Sequence, residues 1–565
     1  MHLLVKLYSI KGGIFMHWAY EYAEKLKIIR AKRNKDKSII VAAGTSPSGT
    51  VHIGNFRDIV TAYFIVKALK NQGEDAKLLF SWDDYDRFRK VPKNIPAEKQ
   101  VFYQTQIGKP YSKIPSPFEE GETYATHYEK EYEDALREVG IIPDIIRYQT
   151  EEYESGRYAK QSIKALKARK EIFDILDKHR TQDSTEEERE SYFPLSVYCN
   201  CCGKDNTKVL SFDGESTVQY HCEECNTNGI VDINTQNNYK LPWKVDWPMR
   251  WREENVQLEP GGTDHAAEHG SYTVSKQVSK DVYGYEPPEF VPYAFIGIKG
   301  LTVKMSSSSG INISLSELLK VYPPEMILWL YARRQLNDEF KIDLGKDVPR
   351  VYKEFDKFKR DFYKSPEDAS EMDKQIMSLI SDGRPYNPNL ISFDKLVTVY
   401  GASNKNLKIM ADMLRKLDLK VENSPELKER LSKVIHWAEN YSPESIIKVN
   451  SEPNSEYFEQ MSETQKEGIS KFINGINDRM NEDEIMRVIY DIPKKSSGEA
   501  VSPELKARQK AVFKDLYNLI ISSDRGPALS TLIKAVGTEK IKELITPLME
   551  RKIEFSNSSE VNEER

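Results

Sequence analysis

Residues 38–55 read SIIVAAGTSPSGTVHIGN, and the fold turns on them. SIIVAAG (38–44) is a short, almost wholly apolar run ending in glycine, the pattern of a strand covered on both faces. The helical pattern FRDIVTAYFIVKALKNQG (56–73) follows, then a second apolar run, AKLLFSW (76–82). That is a βαβ unit, the opening of a parallel, doubly wound sheet. In such sheets ligands bind at the carboxyl ends of the strands. There a helix amino terminus offers free N–H groups and a positive dipole to phosphate. The stretch TSPSGTVHIGN (45–55) occupies that place. Gly49 and Gly54 allow a nucleotide close to the backbone, while His52 and Asn55 offer donors. Taken alone, H-x-G-N is also what a capped turn with a structural histidine would display.

Working outward, a further βα segment reads IIPDIIRYQ (141–149) with a long charged helix over 151–180, and strand–helix character resumes over 240–300. Beyond about 345 the texture changes: seven glycines in the last 215 residues and amphipathic segments such as KNLKIMADMLRKL (405–417) predict an all-helical module. The expected organisation is an amino-terminal extension and helix (1–37), the first half of a Rossmann-type domain (38–110) and an insertion (111–235). The second half (236–300), a loop region (301–350), the helical module (351–555) and a disordered tail (556–565) follow. Met16 opens an amphipathic helix, so residues 1–15 read as an upstream extension.

Length and composition frame this. A chain of 565 residues is too long for one core. Its net charge of −6 speaks against non-specific coating of nucleic acid, yet leaves local basic patches open. No apolar stretch approaches the roughly 20 residues of a membrane span, and the start lacks a signal-peptide pattern, so a cytoplasmic protein without a membrane partner is expected.

All five cysteines lie between 199 and 225. Cys199-x2-Cys202 and Cys222-x2-Cys225, separated by 19 residues, predict a four-thiolate zinc ribbon around the hairpin KVLSFDGESTVQY. A buried reduced cluster is the alternative, with Cys201 as the spare thiol and His221 as a substitute ligand. A closed site of this kind is structural.

A second motif stands some 250 residues after the first: KGLTVKMSSSSGINISL (299–315). Lys304 followed by Met305 and four serines could be a serine linker. It also suits a loop that brings one cation to a pyrophosphate leaving group. In this order the two motifs resemble the HIGH and KMSKS motifs of class I aminoacyl-tRNA synthetases. One departure is that Ser307 and Ser309 stand where lysines often occur, which implies slower turnover or another cation.

WDDYDRFRKVP (82–92), LPWKVDWPMRW (241–251), GGTDHAAEHG (261–270) and PYAFIGIKG (292–300) resemble the class I lysyl-tRNA synthetases over most of 16–345. The resemblance implies ATP, magnesium, L-lysine and tRNA(Lys), a zinc-ribbon connective module guiding the tRNA acceptor end, and a carboxyl-terminal all-α anticodon-binding domain. It implies that His52, Asn55, Lys304 and Ser306 act in catalysis. ATP would meet Pro47, Gly49, His52, Gly54, Asn55, Asp264, Lys304, Met305, Ser306, Ser307 and Ser308. Gly44, Ser46 (where threonine is expected), Trp243, His265 and Tyr293 would contact lysine. Residue chemistry adds Asp84, at the second strand's end, and Asp246, between two tryptophans, as carboxylates for an ammonium. A glutamyl- or glutaminyl-type synthetase, or a non-catalytic tRNA-binding paralogue, are the alternatives.

Overall fold

The computed structural model describes residues 16–33, 36–180, 184–299, 313–417, 424–496 and 499–560, the last ten as backbone only. The elements that build the site are α1 (Trp18–Arg33), β1 (Ile39–Thr45), α2 (Ile53–Asn71), β2 (Ala76–Trp82), α3 (Tyr124–Val139) and β3 (Ile145–Tyr148). After an insertion come α4 (Trp243–Glu254), β4 (Val256–Gly262), α5 (Ser271–Asp281) and β5 (Glu289–Tyr293). The five strands form one parallel sheet in the order β5-β4-β1-β2-β3. The chain leaves β1 toward β2 and β3 on one side, then returns to place β4 and β5 on the other. The switch point therefore falls between β1 and β4, where such sheets bind ligands.

Close packing fixes several residues. Ile39, Val41 and Ala43 are buried, as is most of α2, so the two layers meet through a largely apolar interface. The β1–β4 register slips between Ile40 and Val41, and the Gln257 side-chain oxygen accepts the Ile40 N–H at 2.6 Å in place of a ladder bond. A Cβ on Gly44 would stand 2.9 Å from the Ser81 carbonyl oxygen, so β1 and β2 meet there only through glycine. In α4, Pro248 cannot donate to the Lys244 carbonyl, and the Ser275 hydroxyl of α5 supplies that hydrogen bond at 3.2 Å.

The long helix expected over 151–180 is three: Gln149–Glu154, Ala159–Lys167 and Arg169–Asp177. Gly156, at φ +75°, makes the first break. The insertion carries a three-stranded antiparallel ribbon, Thr207–Phe212, Thr217–Cys222 and Thr227–Asp232. Ribbon residues Val209, Val218, Tyr220, Cys222 and Val231 join one apolar cluster with Tyr85, Tyr153, Val245 and Met249, so the ribbon and α4 share a core.

The described chain forms two compact units, one within Met1–Asp343 and Lys364–Arg384, the other within Leu344–Tyr363 and Pro385–Arg565. The expected single boundary near 350 is thus corrected: helix Glu371–Ile380 returns to the first unit. Gln375 accepts the His17 N–H at 2.7 Å, Tyr20 meets Ser378 at 2.7 Å, and Lys67 donates to the Ser381 carbonyl at 3.0 Å. All regular secondary structure among the described residues of the second unit is helical, with a core that includes Phe472, Leu516, Leu519, Leu532 and Ile541. Capping boxes at Ser462/Gln465 and Asn481/Glu484 start two of its helices. Its last helix runs to Glu560, through the first half of the tail expected to be disordered.

Candidate active site and metal centre

At the switch point a pocket of about 240 Å³ opens over β1, β2, β3 and β4 and under α4. Of the expected residues, Gly44, Ser46, Asn55, Trp243 and His265 line it. Trp243 stacks on Trp247 (centroids 4.8 Å apart, 17° between planes), and Trp247 lies 4.9 Å from Trp251. These three indoles, spaced i, i+4, i+8 along α4, form one wall.

His52 caps α2. Its Nδ1 accepts the Gly54 N–H at 3.0 Å and the Asn55 N–H at 3.3 Å. A neutral imidazole that accepts at Nδ1 carries its proton on Nε2, so the cap fixes His52 as an Nε2–H donor. Past the serine loop, Ile313 is pinned to this helix start, its carbonyl accepting the Ile53 N–H at 2.9 Å, and Ser314 bridges His52. Lys304, Met305, Ser306, Ser307 and Ser308 lie outside the described residues. Pro47, Gly49 and Gly54 belong to the turn and helix start beside the pocket without lining it. Asp264 is exposed, in the single turn Thr263–Ala266 that follows β4.

Three expected lysine contacts do not line the pocket. Asp84 is buried and turned to the β3 end, where its Oδ1 accepts the Thr150 N–H at 3.0 Å. Burial raises its pKa, against hydrogen bonds from Thr150. Asp246 is fully buried behind the indole wall, held by Arg250 and by the Tyr153 hydroxyl at 2.5 Å. Tyr293 is buried and hydrogen-bonds Asp58.

Asp83, beside Asp84 at the end of the second strand where carboxylates for an ammonium are expected, also lines it, with Asp58, Arg147, Arg250, Glu254 and Glu259, which the sequence reading passed over or named without a role. Arg250 pairs with Asp83 at 2.5 Å and with Asp246. Arg147 pairs with Glu254 at 3.0 Å. Both guanidiniums are therefore committed. Glu259 accepts the indole N–H groups of Trp247 (3.0 Å) and Trp251 (2.7 Å) on one oxygen. Burial pushes Glu259 up to about 7 and Asp58 up to about 8.

The four predicted thiols converge. Cys199 Sγ is 3.6 Å from Cys225 Sγ, Cys202 Sγ is 3.7 Å from Cys222 Sγ, and all four lie within 4.8 Å of one another. Tetrahedral thiolates about 2.3 Å from a zinc ion stand about 3.8 Å apart, so the cluster fits that ion. Burial alone would raise the Cys199 thiol, yet N–H donors of Cys202 and Cys201 and the Thr227 hydroxyl bring it down to about 6. Cys201 is exposed and outside the four, and His221 Nδ1 is engaged with Asn228 Oδ1 at 2.8 Å. Among the described residues no helix is long and apolar enough to cross a membrane.

Residues 16–382 match the family described as tRNA synthetases class I (K). A lysine–tRNA ligase of Borreliella burgdorferi is 34% identical, over 94% of this chain and 98% of its own. That of Thermococcus kodakarensis is 35% identical, over 93% and 98%. Among solved structures, a glutamate tRNA ligase from Elizabethkingia meningosepticum aligns over 91% of this chain and 99% of its own at 14% identity, with a TM-score of 0.39. On the family match and these full-length identities, the chain belongs to the class I (K) tRNA synthetases.

Proposed function

We infer that this protein is a lysine–tRNA ligase, which activates L-lysine with ATP and transfers it to tRNA(Lys). The observation that carries the choice of amino acid is the charge of the pocket. Four carboxylates and two guanidiniums line it, and both guanidiniums are already paired. Among the described residues no unpaired guanidinium is left in the lining for a glutamate side chain, while an ammonium meets carboxylates outnumbering guanidiniums and indole faces. The lysine–tRNA ligases that match the chain nearly end to end support the same choice.

The chemistry needs no side-chain nucleophile. The lysine carboxylate attacks the α-phosphate of ATP, the bond to the β-phosphate oxygen breaks, and pyrophosphate leaves with that electron pair. A hydroxyl of the terminal tRNA adenosine then attacks the activated carbonyl, and AMP departs. His52 Nε2–H and the Asn55 side chain, at the positive end of the α2 dipole, receive the phosphates, beside Pro47, Gly49 and Gly54. Lys304, with Met305, Ser306, Ser307 and Ser308, neutralises the leaving pyrophosphate, and Asp264 flanks the nucleoside. Magnesium, when bound with ATP, adds further neutralisation. Gly44, Ser46, Trp243 and His265 surround lysine. Cys199, Cys202, Cys222 and Cys225 hold structural zinc in a connective module that guides the acceptor end, and the second unit reads the anticodon.

Pyrophosphate exchange with all twenty amino acids tests this. Lysine should support exchange, ornithine should lose about 1–3 kcal/mol for its missing methylene, and glutamate should fail. Exchange led by glutamate or glutamine would overturn the lysine reading, and no exchange at all would favour a non-catalytic paralogue. For the second unit, a chain ending at Arg384 should keep lysine-dependent exchange and charge tRNA poorly. One ending at Asp347 loses Gln375, Ser378 and Ser381 and should be markedly less stable in thermal melts. Full charging by the Arg384 truncation would count against an anticodon role.

A further inference from the structure

Arg57 sits in the second turn of α2, just past Asn55, and is only 4% exposed. A guanidinium taken out of water must find acceptors for its donors. Nη1 donates to the carbonyls of Ala294 and Asp338, the latter at 3.1 Å, and Nη2 to those of Gln335 and Leu336 at 3.2 and 3.0 Å. The rings of Tyr293 and Phe340 each lie 5.4 Å from the guanidinium carbon. Backbone carbonyls and aromatic rings thus enclose a cation that the chemistry above does not use.

Those carbonyls belong to the two stretches that flank the serine segment. Ala294 stands between β5 and the short strand Ile296–Ile298, and residues 335–338 precede the strand Phe340–Ile342. The two short strands pair in parallel, and the Ala294 N–H donates to the Leu336 carbonyl at 2.8 Å. The chain that carries KMSSSS leaves this small sheet after Ile298, and beyond it Ile313 accepts the Ile53 N–H. The Tyr331 hydroxyl donates to the Ile53 carbonyl at 3.1 Å, and its ring meets Phe56 edge-on at 5.1 Å. Both flanks of the serine segment are therefore tied to the first two turns of α2, the helix that presents His52 and Asn55. Buried loop carbonyls need donors, and a planar fork fixes their relative positions in a way that the single ammonium of a lysine does not.

We propose that Arg57 is a positioning residue for adenylate formation: it fixes, against α2, the base from which the Lys304 segment departs. This rests on the lysine–tRNA ligase reading above and on the role given there to Lys304. The groups that meet phosphate then share one frame. His52 and Asn55 belong to α2 itself, and Arg57 binds the small sheet to the same helix. A misplacement of about 1 Å can cost about a hundredfold in rate, so the frame has to be stiff. Arg57 does not line the amino-acid pocket, so lysine binding should sense its loss little.

The test is a double-mutant cycle between Arg57 and Lys304, read in single-turnover adenylate formation by the full chain. Arg57→Met, which keeps an unbranched stem and removes the donors, should slow this step about tenfold or more, with the lysine KM within about twofold. Arg57→Lys keeps the charge and loses the fork, so it should fall between the two, and it serves if the methionine variant does not fold. In a Lys304→Ala background the same substitutions should cost less than about twofold, because no lysine is left to misplace. Equal losses in both backgrounds would mean that Arg57 acts on the fold at large and would overturn the inference. An unchanged rate, or a lysine KM that rises in step, would do the same. Lys304→Ala without effect would remove the role proposed above for Lys304 and this inference with it. Exchange led by another amino acid would unseat the lysine reading alone, since the cycle is read equally well with that amino acid.

Discussion

Replacing His52 with alanine is expected to slow adenylate formation by about a hundredfold or more, the usual cost of removing one preorganised donor from a developing charge. The cap makes the donor preorganised. Two backbone N–H groups hold Nδ1 at 3.0 and 3.3 Å, so the ring need not choose a tautomer when ATP arrives. The loss should fall on the single-turnover rate, with the lysine KM little changed, because His52 does not line the amino-acid pocket. A second, smaller effect comes with it: losing a side-chain cap costs about 1 kcal/mol of stability, read by denaturant unfolding. Lys304→Ala should produce a rate loss of the same order without the stability change. An unaltered single-turnover rate in His52→Ala would remove this histidine from the phosphate site.

Much of this site was legible in the sequence because parallel sheets write plainly. β1 is buried on both faces, so its run is unbroken, and it stops at the glycine that the β2 backbone requires. The cysteine spacing was equally plain. What could not be read was direction. Asp83 and Asp84 are neighbours, and a strand end turns one to the pocket and the other to the Thr150 amide. On α4, Trp243, Trp247 and Trp251 form one stripe, while Asp246 and Arg250 pair one turn apart on another. Sequence neighbours of a tryptophan are not its neighbours in space.

Glu259 was readable in principle. VQLEPGG (256–262) is an interior strand of a parallel sheet, which has no solvent face for a charge. A carboxylate in that position needs donors, and two indoles downstream of a proline–tryptophan pair were the available ones. The unit boundary was harder. An amphipathic segment such as EMDKQIMSLI (371–380) announces an apolar face without saying which neighbour covers it. Its return to α1 and α2 through Gln375, Ser378 and Ser381 depends on contacts hundreds of residues apart.

Removal of the metal is expected to have the largest structural effect. Purified protein should contain one zinc per chain, and Cys199→Ser should lose it. Structural zinc sites in isolated fingers contribute about 10–16 kcal/mol of apparent folding free energy, so one missing thiolate is enough to open the ribbon. Cys201→Ser and His221→Ala should both keep the metal, since the first thiol stands outside the four and the second ring is engaged with Asn228. Gly229→Val should weaken the site by another route. A Cβ there would meet the Tyr220 ring at 2.3 Å, and Tyr220 is the residue whose hydroxyl accepts the Asn200 N–H of the first knuckle. The damage should not stay in the ribbon. Cys199 and Cys222 share a core with Tyr85, Tyr153, Val245 and Met249, and α4 carries the indole wall from that core. Chelation should therefore expose the segment from 199 to 225 to proteolysis first and raise the lysine KM next, while ATP binding at the α2 start suffers less. Elemental analysis finding no zinc in protein purified without chelator, or full zinc in Cys199→Ser, would leave a reduced thiol cluster in place of a metal centre.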